Sequence, residues 1–174
     1  YTGNLHKWAW APRSCGILWA ARKRQASLHP VVISWGLGQG YSREFDWVGT
    51  RDPSPWLAAP EAIAFMRDLG VEAVQRWNHD LAWQATHLLC RAWGTEHGID
   101  ERCTGTMATV PLPSELGSNP ADAARLRDAL LDEEAIEVQL HAWGGRLWAR
   151  VSAQIYNEIS DFERLANAVA RRRA

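Results

Sequence analysis

Lys7 has neighbours that can turn a lysine into a reagent. The stretch Tyr1-Thr2-Gly3-Asn4-Leu5-His6-Lys7-Trp8 sets it directly after a histidine and among Leu5, Trp8 and Trp10. An amine attacks a carbonyl only when it is partly deprotonated, a state that burial or a nearby positive charge favours. By residue type alone, the same lysine could lie on the surface with its alkyl stem over Trp8. Two other positions carry comparable potential. Arg150, in Trp148-Ala149-Arg150-Val151, offers a planar guanidinium suited to gripping a carboxylate with two parallel hydrogen bonds; its other reading is an exposed strand arginine. Thr50 follows Gly49, so a hydroxyl stands beside a backbone that a phosphate can approach closely; its other reading is a helix-entry residue beside Asp52.

Other constellations are weaker. Gly36-x-Gly38-x-Gly40 is not followed by a helix at dinucleotide-binding spacing and reads as a flexible loop. His79 and His87 on one helix, with His97 beyond it, are spaced too widely for a zinc pair, and no metal is expected. No Gly-x-Ser-x-Gly elbow supports a hydrolase triad. Cys15, Cys90 and Cys103 form no C-x-x-C pair and read as reduced, partly buried thiols of a cytoplasmic protein. The 174 residues carry a net charge of −1, with 47% apolar and 22% charged side chains. Such a balance makes no electrostatic case for nucleic acid or a membrane surface. The one local charge run, Arg171-Arg172-Arg173, reads as a frayed, solvated helix end. Eleven tryptophans fit either a core or a pocket for flat ligands.

The elements that must position these residues follow from periodicity. Cys15 to Ala20 reads as a short buried strand and Val31 to Trp35 as a second. A helix opens after Pro53, capped by Asp52 or Ser54, with Ile63, Met66 and Leu69 on one side and Gly70 as its stop. A long helix from Val71 to Trp93 shows Val74, Trp77, Leu81, Ala85, Leu88 and Ala92 at spacings of three or four, and Gly94 ends it. Thr106 to Leu112 is a strand. Asn119 caps a helix running through Leu131. Ala135 to Leu140 alternates like a strand, the turn Gly144-Gly145 leads to a strand from Arg146 to Ala153, and Asp161 to Ala170 is the last helix. Strand-helix-strand-strand-helix is a compact α/β unit with an antiparallel hairpin in its sheet.

Three segments in order resemble the class V aminotransferases, and the isopenicillin N epimerase-like branch in particular. They are Tyr1 to Trp8 followed by Ala11-Pro12-Arg13, Phe45-Asp46-Trp47-Val48-Gly49-Thr50-Arg51-Asp52, and Trp148 to Asn157. The resemblance spans Tyr1 to about Leu165. It implies an α/β fold, the C-terminal part of a fold-type-I pyridoxal-phosphate enzyme. Residues 1–52 would be the end of the cofactor-binding large domain, 53–94 connecting helices, and 95–174 a small domain with an antiparallel sheet packed by helices. It also implies roles. Lys7 would be the Schiff-base lysine of pyridoxal 5'-phosphate. Asn4 and His6 would lie near the cofactor phosphate, and Thr50 with the Gly49 backbone would reach a phosphate of the neighbouring subunit of a homodimer. Arg150 would hold the α-carboxylate of an amino-acid or amine substrate.

The loop Leu140 to Trp148 holds no cysteine, so persulfide-forming desulfurase chemistry is not expected. The expected activity is transamination or epimerisation. The competing reading is a non-catalytic binding or assembly module that keeps the fold.

Overall fold

A computed structural model describes residues 1–173. They form two compact units, Tyr1–Val71 and Glu72–Ala174.

The first unit is built from short pieces. Strand β1 (Thr2–Asn4) runs into helix α1 (Leu5–Trp8), and β2 (Gly16–Leu18) returns antiparallel, with Asn4 opposite Gly16 and Thr2 opposite Leu18. The segment expected as a buried strand is therefore a strand over only part of its length, and only Cys15 of it is buried: Ile17, Leu18 and Trp19 are exposed. A two-stranded sheet has no second layer to cover it. Helix α2 (Arg22–Gln25) follows.

Residues 31–35 form bends and a turn instead of the second expected strand, and Val31 and Trp35 are 102% and 87% exposed. Extended backbone persists where its N–H and C=O groups find a neighbouring strand; here Leu37 N–H donates to the Ser34 carbonyl in a turn.

The glycine segment forms a turn and loop, as its composition suggested. Gly38 and Gly40 take φ of 73° and 92°, and a side chain on Gly36 would collide with the Arg43 carbonyl. Helix α3 (Tyr41–Asp46) carries Glu44, only 5% exposed, which accepts from Gly38 N–H at 3.2 Å and His29 Nδ1 at 2.6 Å. The His29 hydrogen bond holds the Glu44 carboxyl below its usual range.

The helix after Pro53 is broken at Ala58 into α4 (Ser54–Leu57) and α5 (Ala59–Asp68). Asp52, and not Ser54, accepts at its start, from Ser54 N–H and Oγ–H at 2.9 and 2.6 Å. The expected apolar side of this helix stays largely outside, with Ile63 and Leu69 exposed. The unit's small core is instead Ala11, Cys15 and Ala59, with Leu5, Trp56 and Ala62 against it.

The second unit carries a continuous core. Helix α6 (Val71–Trp93) is present as expected, but its buried stripe is turned from the expected one. Val74, Leu81 and Ala85 lie inside, joined by Asn78, Ala82, Leu89 and Trp93, whereas Trp77 is 51% exposed and Ala92 is exposed. The buried small residues Ala82 and Ala85 let the helix lie close against its neighbours, a choice that hydrophobicity alone does not reveal.

Strands β3 (Met107–Pro111), β4 (Gln139–Trp143) and β5 (Arg146–Ser152) form an antiparallel sheet in the order β3-β5-β4. Helix α7 (Pro120–Glu134) begins at a capping box between Asn119 and Asp122 and extends past the expected end at Leu131. Ala135 then takes a left-handed conformation that ends the helix. The strand expected from Ala135 therefore starts only at Gln139, although Val138 is buried.

Helix α8 (Ile159–Ala170) closes the chain's order of elements. Ala108 and Val110 of β3, Leu140 of β4, and Leu147, Ala149 and Val151 of β5 turn one sheet face toward α6, α7 and α8 in a single core. Alternation leaves Thr109, His141, Trp148 and Arg150 on the opposite face.

The arginine run is a clasp and not a frayed end. Arg171 and Arg172 pair with Glu134 at 2.7 and 3.2 Å, Arg172 also with Glu133 at 2.8 Å, and Arg173 with Glu115 at 2.6 Å. Arg172 and Arg173 further donate to the carbonyls of Ala129 and Trp93. The Trp93 carbonyl is the last of α6 and lacks a helical partner of its own. Among the described residues no helix is long and apolar enough to cross a membrane.

Candidate functional site

Helix α1 starts where β1 stops pairing. The carbonyl of Cys15 accepts from both Leu5 N–H (3.0 Å) and His6 N–H (3.3 Å), which turns the chain sharply at the lysine segment. His6 Nδ1 lies 3.0 Å from the same carbonyl. A carbonyl only accepts, so Nδ1 carries a proton and donates it to this carbonyl, which leaves Nε2 for another partner. Ala11 N–H donates to Leu5 O at 3.1 Å and closes the loop behind the helix.

Lys7 sits in the middle of α1 and is exposed. The enclosure expected from Leu5, Trp8 and Trp10 does not form around it within this unit. Trp10 turns away with φ of 57° and packs its ring 5.0 Å from Phe65.

Asn4 and His6 share a cavity of about 560 Å³ in the first unit, lined also by Cys15, Tyr41, Arg51 and Trp56. The Arg51 guanidinium lies 4.5 Å from the Trp56 ring centroid, a cation–π contact that fixes its place at this cavity. Arg51 was not picked out from the sequence as a site residue; its place beside Thr50 in the Gly-Thr segment was the available signal. Gly49 adopts φ of 122°, with open space where a side chain would be, and Thr50 is exposed. Lys7, Gly49 and Thr50 are not among the residues lining the cavity. The structure thus brings Asn4 and His6 together with Arg51, and sets Lys7 and Thr50 on exposed backbone close by in sequence.

Arg150 belongs to the second unit. It is exposed on the central strand β5, opposite Thr109 of β3 and Gln139 of β4. Its side chain has no ion pair among the described residues and borders a cavity of about 400 Å³ with Gln139, Ser152, Asn157 and Asp161. The end of the same motif has a structural task. Asn157 Oδ1 accepts from Gln154 N–H at 3.1 Å, and Gln154 Oε1 accepts from Ile155 N–H and from the buried Asn78 Nδ2 at 2.9 and 2.8 Å. These bonds form the turn into α8 and join it to α6.

No protein-family model matches the chain. Among curated proteins it is 33% identical to a probable chloroplastic L-cysteine desulfhydrase of Arabidopsis thaliana, over 97% of this chain and 38% of that protein. It is 31% identical to the isopenicillin N epimerase of Streptomyces clavuligerus, over 97% of this chain and 46% of that protein. The chain therefore spans less than half the length of these relatives. A solved structure, 8-amino-7-oxononanoate synthase from Francisella tularensis, superposes with a TM-score of 0.52 at 16% identity, covering 75% of this chain and 35% of that one. That likeness is one of fold and agrees with the mixed α/β architecture expected. Over nearly its whole length, the chain is a sequence relative of the L-cysteine desulfhydrases and isopenicillin N epimerases, the class V aminotransferase-like proteins that its three ordered segments resemble.

Proposed function

We propose that the protein to which these residues belong is a pyridoxal-phosphate-dependent enzyme acting on an amino acid or amine, by transamination, epimerisation or removal of a β-substituent. The observation that carries this reading is the relationship over 97% of the chain to two differently named activities, a cysteine desulfhydrase and an epimerase. The third reaction class enters through the desulfhydrase relatives. Release of sulfide by elimination needs no acceptor thiol, so the missing cysteine between Leu140 and Trp148 argues against a persulfide-forming desulfurase and not against this chemistry.

The residues present fit the phosphate end of such a cofactor. Asn4 and Arg51 supply a side-chain donor and a cation at one cavity that His6 also lines, a set that suits a phosphate. When bound, pyridoxal phosphate supplies an aldehyde for an amine and a ring that draws electrons from the adjacent carbon. Lys7 supplies that amine. Lys7 would also take the proton from the substrate's Cα and return it. His6, held by the Cys15 carbonyl, keeps one orientation while it does its work at the phosphate. Thr50 Oγ–H and the Gly49 N–H donate to a phosphate, that of the partner subunit in a homodimer. Arg150 orients the substrate through its carboxylate.

The test uses the full-length protein with added pyridoxal phosphate. Borohydride reduction should leave a stable mass increment on the peptide containing Lys7, and Lys7→Ala should abolish it. An undiminished increment in the variant sinks the proposal. The competing reading, a non-catalytic assembly module, expects no increment in either protein.

A further inference from the structure

The exposed face of the sheet in the second unit contains a recess that the roles above leave unused. Thr109, His141, Trp143 and Trp148 line it from the three strands, and His97 and Ile99 from the segment after α6; it encloses about 420 Å³.

Its walls are preformed. Trp148 Nε1–H donates to the Trp143 carbonyl at 3.0 Å, and the Arg146 guanidinium lies 5.2 Å from the Trp148 ring centroid. Arg146 is itself anchored by donating to the Leu112 carbonyl at 3.2 Å. The Trp143 and Trp148 rings stand 6.0 Å apart at 57°. On the other side, His97 is held in a three-ring cluster, 5.0 Å from both Trp83 and His87. His97 Nδ1 is enclosed with no hydrogen-bond partner among the described residues, an unsatisfied polar atom at the edge of an otherwise aromatic wall. Rigid aromatic walls bind flat groups with little ordering cost.

Its position supplies the second half of the argument. Thr109 is the ladder partner of Arg150, and Trp148 is two residues from Arg150 on the same strand face. Arg150 therefore shares a sheet face with the recess and neighbours two of its lining residues along the ladder, while its own side chain lines the adjoining cavity with Gln139 and Ser152. We infer that this recess holds the body of the substrate. It selects molecules that pair a carboxylate with a flat, apolar group. This assignment rests on the role proposed above for Arg150.

The test titrates the full-length protein by calorimetry with 3-phenylpropionate, and with propionate and 3-phenylpropanamide as controls. The expected order places 3-phenylpropionate at least ~10-fold tighter than either control. Trp143→Ala and Trp148→Leu should each weaken both phenyl probes about 10-fold, the scale of a lost aromatic contact, and leave propionate unchanged. Trp143 is 75% exposed, so its replacement does not threaten folding and keeps the test decisive if Trp148→Leu fails to fold. Arg150→Gln should weaken the two carboxylates and spare the amide. The inference is overturned if the phenyl group adds no affinity, or if both tryptophan variants bind like the parent. If the tryptophans matter and Arg150→Gln is silent, the recess stands and the carboxylate role of Arg150 falls.

Discussion

Lys7 and Arg150 are exposed side chains with no ion pair among the described residues, which leaves both free to meet a ligand. For Arg150 the consequence is measurable. A charge-assisted bond to a carboxylate contributes about 1.5–3 kcal/mol, so Arg150→Gln should raise KM for an amino-acid substrate by roughly 10- to 100-fold. Arg150→Lys should recover only part of that loss, because an ammonium lacks the planar fork. Steady-state kinetics on the full-length enzyme decide it; an unchanged KM in Arg150→Gln removes Arg150 from the site. His6 acts differently. Its Nδ1 bond to the Cys15 carbonyl ties ring orientation to the turn between β1 and β2, so its replacement should disturb cofactor affinity more than folding of the second unit.

The helices of the second unit allow sharper tests. Leu89 is fully buried on α6, while Trp77 on the same helix is half exposed. Leu89→Ala should cost about 2–5 kcal/mol through lost burial and a cavity, and Trp77→Ser less than about 0.5 kcal/mol. Urea denaturation of both variants checks the observed stripe against the one that hydrophobicity suggests; equal losses would contradict it. Asn119→Ala removes one side of the α7 capping box and should cost about 1 kcal/mol. The arginine clasp adds a pH dependence. Hydrogen bonds from Arg171, and then Arg172, hold the Glu134 carboxyl below its ordinary range. A carboxyl depressed on folding stabilises fully above its unfolded pKa, and that stabilisation fades as pH falls through the folded value. Glu134→Gln should therefore lower Tm at neutral pH, and the gap should close as the solution is acidified below the ordinary carboxylate range. A gap independent of pH would show that the clasp acts by packing and not by charge.

Across the whole chain, stability is unevenly distributed. The second unit buries one continuous cluster from Leu81 to Val169, whereas the apolar cluster of the first unit is three small residues, and Val31, Val32, Ile33 and Trp35 stay exposed. Local opening is easier where few apolar contacts close over the backbone. Amide hydrogen exchange should accordingly be slowest in β5, α6 and α8 and faster throughout β1, β2 and residues 31–40. Comparable protection in the two units would refute this ranking.

The division between what was legible and what was not follows from the range of the interactions. Capping by Asn119, the long helix ending at Gly94, the Gly144-Gly145 hairpin and the order of the three family-like segments are local patterns, and residue type and spacing determine them. The antiparallel small-unit sheet was legible for the same reason, since β4 and β5 are neighbours in sequence. Other features depend on distant partners. Val31 to Trp35 has strand-like residues and no strand to pair with. The buried side of α6 is chosen by the small residues that let α8 and the sheet approach. The terminal arginines find acceptors on Glu115, Glu133 and Glu134, far away in sequence. The candidate site divides in the same way. Lys7, Thr50 and Arg150 are candidates nominated by type and motif, with the roles proposed above. The fixed ring of His6, the arrival of Arg51 at its cavity, and the tryptophan recess beside Arg150 needed tertiary structure, because each depends on a hydrogen bond, ring contact or strand register that one-dimensional spacing does not specify.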